Sequence, residues 1–167
     1  MKRMTLFALL LLLLPIASSA QALQPVQIKE LAAGLPASRI LFTETLTSPA
    51  GVLLREEAGT LDLQYPCFRV TKGSLQILSD GTSVWNYDTS AEEVMIFPGD
   101  LNALFGQGAV TSDAARETFT ISLSDGSRIV YRIISVEAMA ESWPEEFFRL
   151  DVSALGDDTI VTDLRAK

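Results

Sequence analysis

Four carboxylates lie close together in the first half of the chain: Glu44, Glu56, Glu57 and Asp62. Two such groups at the right separation could act as acid and base in glycoside hydrolysis. The plainer reading is that they are solvated strand faces and turns. The chain contains no histidine. That removes Ser-His and Cys-His nucleophile pairs, histidine metal sites and the usual proton carrier near neutrality. No G-x-S-x-G elbow, metal-ligand cluster or phosphate-cradling loop occurs. Cys67 is the single cysteine, so no intramolecular disulfide can form. In Tyr65-Pro66-Cys67-Phe68 it reads as a small buried hydrophobe. The residues therefore point to binding, with no catalysis, cofactor or metal expected.

The binding chemistry on offer is apolar. Trp85 and Tyr87 are two apart in an extended segment, so both rings project from one face. They follow Leu75-Gln76-Ile77-Leu78-Ser79-Asp80-Gly81-Thr82-Ser83-Val84, which reads as a hairpin turning at Asp80-Gly81. Other strands are apolar on both sides: Val94 and Ile96 against Met95 and Phe97, Ile40 and Phe42 against Leu41, Ile77 against Leu78. A sheet with one wet face would alternate more cleanly. Two readings follow, a two-sided core or a ligand cavity. The residues alone favour the core, because apolar clusters usually are core.

These side chains are positioned by a run of strands. Pro25 to Leu35 reads as a short helix with Gly34 near its end. Strands are expected over Arg39–Leu46, Val52–Leu63 (bent near Gly59) and Cys67–Thr71. The hairpin from Leu75 to Asp88 and the strand Glu92–Phe97 follow. Asp100 can cap a second helix in which Leu101, Leu104 and Phe105 share a face. Strands resume over Glu117–Ser124 and Arg128–Ile134, turning at Asp125-Gly126. A helical turn is expected over Ala138–Ser142, then late strands over Phe147–Val152 and Thr159–Leu164. The expected class is mainly β (α+β): one antiparallel meander, closed as a barrel or left open under the two helices.

The chain opens Met1-Lys2-Arg3, continues apolar from Leu6 to Ile16 and then turns to small residues through Ala22. A basic, an apolar and an Ala-x-Ala region in that order describe a secretory leader over residues 1–22, cleaved after Ala20 or Ala22. The apolar run falls short of the about 20 residues that a membrane span needs. Residues 23–167 then form one domain, long enough for a substantial core. Lys and Arg number 13 against 21 Asp and Glu, a balance of −8; losing Lys2 and Arg3 with the leader makes it −10. That excess of negative charge argues against nucleic acid and against anionic lipid headgroups as partners.

Pro66-x-Phe68-Arg69, the Ser79-Asp80-Gly81…Trp85-x-Tyr87-Asp88 segment and Glu93-Val94-x-Ile96 together resemble the LolA family of periplasmic outer-membrane lipoprotein carriers. Phe42-Thr43-Glu44-Thr45 is similar to that family's F-T-Q strand. The likeness spans about Leu31 to Phe105 and is firmest from Pro66 to Ile96. Tyr65 stands where the family commonly has a basic residue, and no match to its closing segment follows Ile134. The resemblance implies an open antiparallel half-barrel with short helices forming a lid over an apolar concave face. It implies a monomeric periplasmic carrier of acylated lipoprotein or lipid cargo. Such a carrier takes cargo from an inner-membrane exporter of ABC or other type and delivers it to an outer-membrane receptor. The acyl contacts would be Phe42, Trp85, Tyr87, Ile96, Leu101, Leu104 and Phe105, with Arg69 as a lid or polar contact. A paralogue that carries or senses another acylated lipid or glycolipid is the alternative.

Overall fold

In a computed structural model, the residues described are 21–23, 25–99, 109–113 and 116–165. Residues 1–20 of the expected leader 1–22 and the expected lid residues Leu101, Leu104 and Phe105 lie outside them. Among the described residues eleven strands form one sheet: β1 (Gln21–Leu23), β2 (Ser38–Thr47), β3 (Leu53–Gln64), β4 (Cys67–Lys72), β5 (Leu75–Ser79), β6 (Ser83–Asp88), β7 (Glu93–Pro98), β8 (Ala109–Asp113), β9 (Thr118–Ser122), β10 (Arg128–Ala138) and β11 (Ile160–Asp163). Their spatial order is β1-β8-β9-β10-β2-β3-β4-β5-β6-β7-β11. All neighbours are antiparallel except β11, which joins β7 in parallel.

The expectation of an open half-barrel lidded by helices is overturned. Among the described residues the chain has one α-helix, α1 (Pro25–Ala33), and two 3-10 turns, Glu145–Phe148 and Val152–Ala154. The sheet is open, with β1 and β11 at its two edges. The later elements also differ from expectation. β10 runs on through Ala138, where a helical turn was expected, because it stays paired with β2 as far as Ala138↔Ser38. Phe147–Val152 is not a strand; Pro144 precedes a 3-10 turn there. β8 falls in a segment that composition alone does not mark as a strand.

The meander from β2 to β7 follows the expected pattern, with boundaries moved by a residue or two. Gly81 and Gly126 both take positive φ, +90 and +85, as the two Asp-Gly turns require. The first turn is looser than a two-residue hairpin. Ser79↔Val84 is its last pair, and the Asp80 carboxylate closes it by accepting from the Thr82 N–H, the Thr82 hydroxyl and the Ser83 N–H at 3.0, 2.8 and 3.0 Å.

Register decides the two faces, since alternate residues point opposite ways. The pairs Phe42↔Gly59, Leu61↔Val70, Val70↔Ile77, Ser79↔Val84, Val84↔Phe97 and Phe42↔Ile133 carry one face across the sheet. We call it the Phe42 face. Leu78↔Trp85, Trp85↔Ile96 and Tyr87↔Val94 define the opposite, Trp85 face. Each has its own apolar cluster. Phe42, Leu63, Phe68, Val70 and Val84 pack with Ala32 of α1. Leu78, Trp85, Val94 and Ile96 pack under Tyr87, Leu150, Val152 and Leu155. The core is thus two-sided, the first of the two readings open at the level of sequence.

Candidate ligand-binding face

The described residues among those singled out from sequence do not share one face. Phe42 lies on one face of the sheet; Trp85, Tyr87 and Ile96 lie on the other. Trp85 and Ile96 are buried, and what covers them is the chain's own C-terminal segment. Arg69 is on the Trp85 face as well. It donates to Gln76 Oε1 at 3.0 Å and lies 5.0 Å from the Phe147 ring centroid. This cation–π contact and hydrogen bond commit it to the packing of that segment. Leu101, Leu104 and Phe105 lie outside the described residues. The grouping fails because two residues at alternate positions share a face only after register is known across every intervening strand.

The C-terminal segment is tied down along its length. The Gln64 side chain accepts from the Trp143 N–H at 2.9 Å and donates to the Trp143 carbonyl at 3.2 Å. Trp143 stacks on Phe147 with centroids 5.5 Å apart, and Phe148, fully buried, meets both rings edge-on. Arg149 reaches the Asp80 carboxylate at 3.1 Å. Asp151 caps the second 3-10 turn by accepting from the Ser153 N–H. β11 then adds to β7, and the Leu164 N–H donates to the Ile96 carbonyl at 2.7 Å.

The Phe42 face is covered differently. Around its buried centre stand Leu35, Leu61, Ile77, Phe97, Tyr131 and Ile133, all only partly buried. Met95, on the same face beside Asn86 in the register, is 40% exposed. Phe42 crosses to Tyr131 edge-on, centroids 5.5 Å apart. Of these, the sequence names Phe42 alone as an acyl contact; Ile77, Met95 and Phe97 are noted there only as apolar strand residues. Tyr131 and Ile133 alternate in β10, which is the signal that marks them; Leu61 and Ile77 alternate likewise in their strands.

One end of this face is charged. Glu44, buried between the levels of Glu57 and Tyr131, accepts from Lys72 Nζ at 2.6 Å and from the Arg55 guanidinium at 2.8 Å. Glu57 stands 3.5 Å from Arg55. Burial opposes the charge on Glu44, yet the hydrogen bonds and charge of Lys72, with Tyr131 and Arg55, outweigh it and hold the carboxyl below its ordinary range. Burial first, and then the Glu44 charge, push the Tyr131 phenol well above its ordinary range.

The four carboxylates considered for acid–base work are split by the same register. Glu44 and Glu57 are on the Phe42 face; Glu56 and Asp62 are on the other. Asp62 is held by Arg39 through two bonds of 2.6 and 3.1 Å. Glu44 and Asp62 are each engaged by cations, as in a structural ion pair. Cys67 is half-buried, and burial, followed by Asp80 and Glu145, raises its thiol pKa. Among the described residues no group of three or more histidine, cysteine or acidic side chains is arranged to hold a metal.

No family model matches the chain, and no curated protein does. Among solved structures it is similar to an uncharacterized conserved protein from Thermus thermophilus, at 14% identity, over 84% of this chain and 99% of that one, with a TM-score of 0.46. A likeness that loose carries no argument about fold or function, and none of these comparisons points to the lipoprotein carriers.

Proposed function

We propose that the protein is an exported, periplasmic acyl-chain carrier that binds its cargo on the Phe42 face of the sheet. One observation carries this reading. The C-terminal segment packs on the Trp85 cluster, whereas among the described residues the Phe42 face is covered by α1 at Ala32 and keeps partly buried apolar side chains around Phe42, with Met95 40% exposed. An acyl chain laid there would replace water over apolar surface, at about 0.8 kcal/mol for each CH₂ buried. No covalent chemistry is needed, so the lack of histidine is no obstacle.

The motif resemblance supplies the rest of the proposal. The cargo is an acylated lipoprotein, received from an inner-membrane exporter and passed to an outer-membrane receptor by a monomeric carrier. A carrier or sensor of another acylated lipid or glycolipid would use the same face. The leader pattern at residues 1–22 is what supports export.

The test is extraction. Delipidated protein is mixed with vesicles loaded with lipoprotein or lipid, and the soluble fraction is analysed by mass spectrometry. An acylated molecule should co-purify, and Met95→Asp, at an exposed position, should lower its recovery without lowering Tm. Failure to extract any acylated molecule, where an authentic carrier extracts one, removes the proposal. Recovery unchanged by Met95→Asp moves the site off this face. Trp85→Asp, a natural loading variant on sequence grounds, is unsuitable because it places a charge in a buried cluster.

A further inference from the structure

The end of the β2–β3 ribbon is apolar, and its charges are withdrawn to its base. Val52, Leu53 and Leu54 follow one another there with 59, 58 and 59% of their surface exposed. No charged residue occurs between Glu44 and Arg55. These two bracket the tip and pair with each other at 2.8 Å. Arg55 is therefore turned toward Glu44 and Glu57, away from the tip.

The tip is also built. The Ser48 N–H donates to the Val52 carbonyl and the Gly51 N–H to the Ser48 carbonyl, both at 2.9 Å. The Val52 N–H donates to the Ser48 hydroxyl at 3.2 Å. Pro49 rests against the turn at Gly126, where an added Cβ would sit 3.3 Å from the proline ring. That neighbouring turn carries Asp125 and Arg128, one charge of each sign.

We infer that this tip inserts into the interfacial region of a lipid bilayer. Three adjoining side chains offer on the order of 300 Å² of apolar surface, well short of the about 800 Å² per partner of a stable protein interface. A second copy of the chain or a rigid protein partner would need more. A bilayer needs only a narrow apolar finger whose flanking charges stay at the water side. The chain's balance of −8 sets the lipid: repulsion from anionic headgroups selects zwitterionic ones, with weak and reversible binding that salt leaves unchanged. This inference stands apart from the acyl-carrier reading, since it uses neither the Phe42 face nor a cargo.

The test is flotation of residues 23–167, freed of the apolar leader run, with neutral phosphatidylcholine vesicles. Wild type should float at millimolar lipid, equally at low and high salt. Leu53→Asp and Leu54→Asp should each lower the partition coefficient at least about tenfold, since each removes a leucine's burial and adds a charge. Leu53→Trp should gain quenching by brominated lipid over the background of Trp85 and Trp143. Circular dichroism checks that the variants are folded, and Leu53→Ser, which adds no charge, serves should an aspartate variant misfold. Absence of flotation, equal flotation of wild type and variants, or binding confined to anionic vesicles and lost in salt would each overturn the inference. So would concentration-dependent dimerisation in sedimentation that Leu53→Asp abolishes, because the tip would then be covered by a second copy.

Discussion

The Phe42 ring occupies the space beside Gly59, its cross-strand partner: a Cβ on Gly59 would sit 2.5 Å from Phe42 Cζ. Glycine is needed here for space, and it lets the ring reach across β3 at the centre of the face. Gly59→Ala should cost about 1–3 kcal/mol in urea unfolding, the usual range for overpacking a core. Phe42→Leu in the same chain should recover part of the loss. Additive costs in the double variant would show that the two positions do not compete for space.

Glu44 should make stability depend on pH. Its folded pKa lies below its ordinary value of 4.5, so its contribution is complete above that value and is lost as pH falls through the lower, folded one. Acid unfolding should therefore begin below about pH 4.5. Glu44→Gln should flatten this part of the profile and, at pH 7, cost about 1–3 kcal/mol, because buried Lys72 loses its 2.6 Å partner and keeps only Glu57 at 4.0 Å. Replacing Glu44 and Lys72 together by leucine should cost less than Glu44→Gln alone. Tm measured across pH 3–7 separates these outcomes.

The C-terminal segment should protect Trp85. Val152→Asp is expected to destabilise by about 1–3 kcal/mol, through the loss of apolar contact and the placing of a carboxylate against the Leu78, Trp85, Val94 and Ile96 cluster. In a Trp143→Phe background the remaining Trp85 emission should shift to the red. Unchanged emission and Tm would mean that Val152 does not cover this ring.

Gln64 fixes where that segment begins. Gln64→Ala removes both bonds to the Trp143 backbone and leaves a partly buried N–H and carbonyl unpaired, which should cost about 1–2 kcal/mol. Hydrogen exchange at Trp143 should rise more than exchange in β2 or β3. A uniform rise across the sheet would show global rather than local loosening.

The sequence by itself determined the strands of the central meander and both Asp-Gly turns. Those signals are local: alternation over a few residues, and glycine where φ must be positive. It also determined that apolar residues occupy both sides of several strands, and that the N-terminal segment has the pattern of an export leader. Tertiary structure decided what covers each side. Nothing local in Leu150, Val152 or Leu155 says that they return to the Trp85 face, so Trp85 and Tyr87 looked like an open wall when Trp85 is core and Tyr87 packs against it. Nothing local in Glu44 says that Lys72, from another strand, neutralises it. Phe42 and Trp85 were grouped by the motif resemblance, which carries no register. The cumulative register from β2 to β6 puts them on opposite faces, and a single-residue shift anywhere along that path would reverse the result. A site that depends on the parity of four strand pairings is a property of the sheet, which no single segment carries.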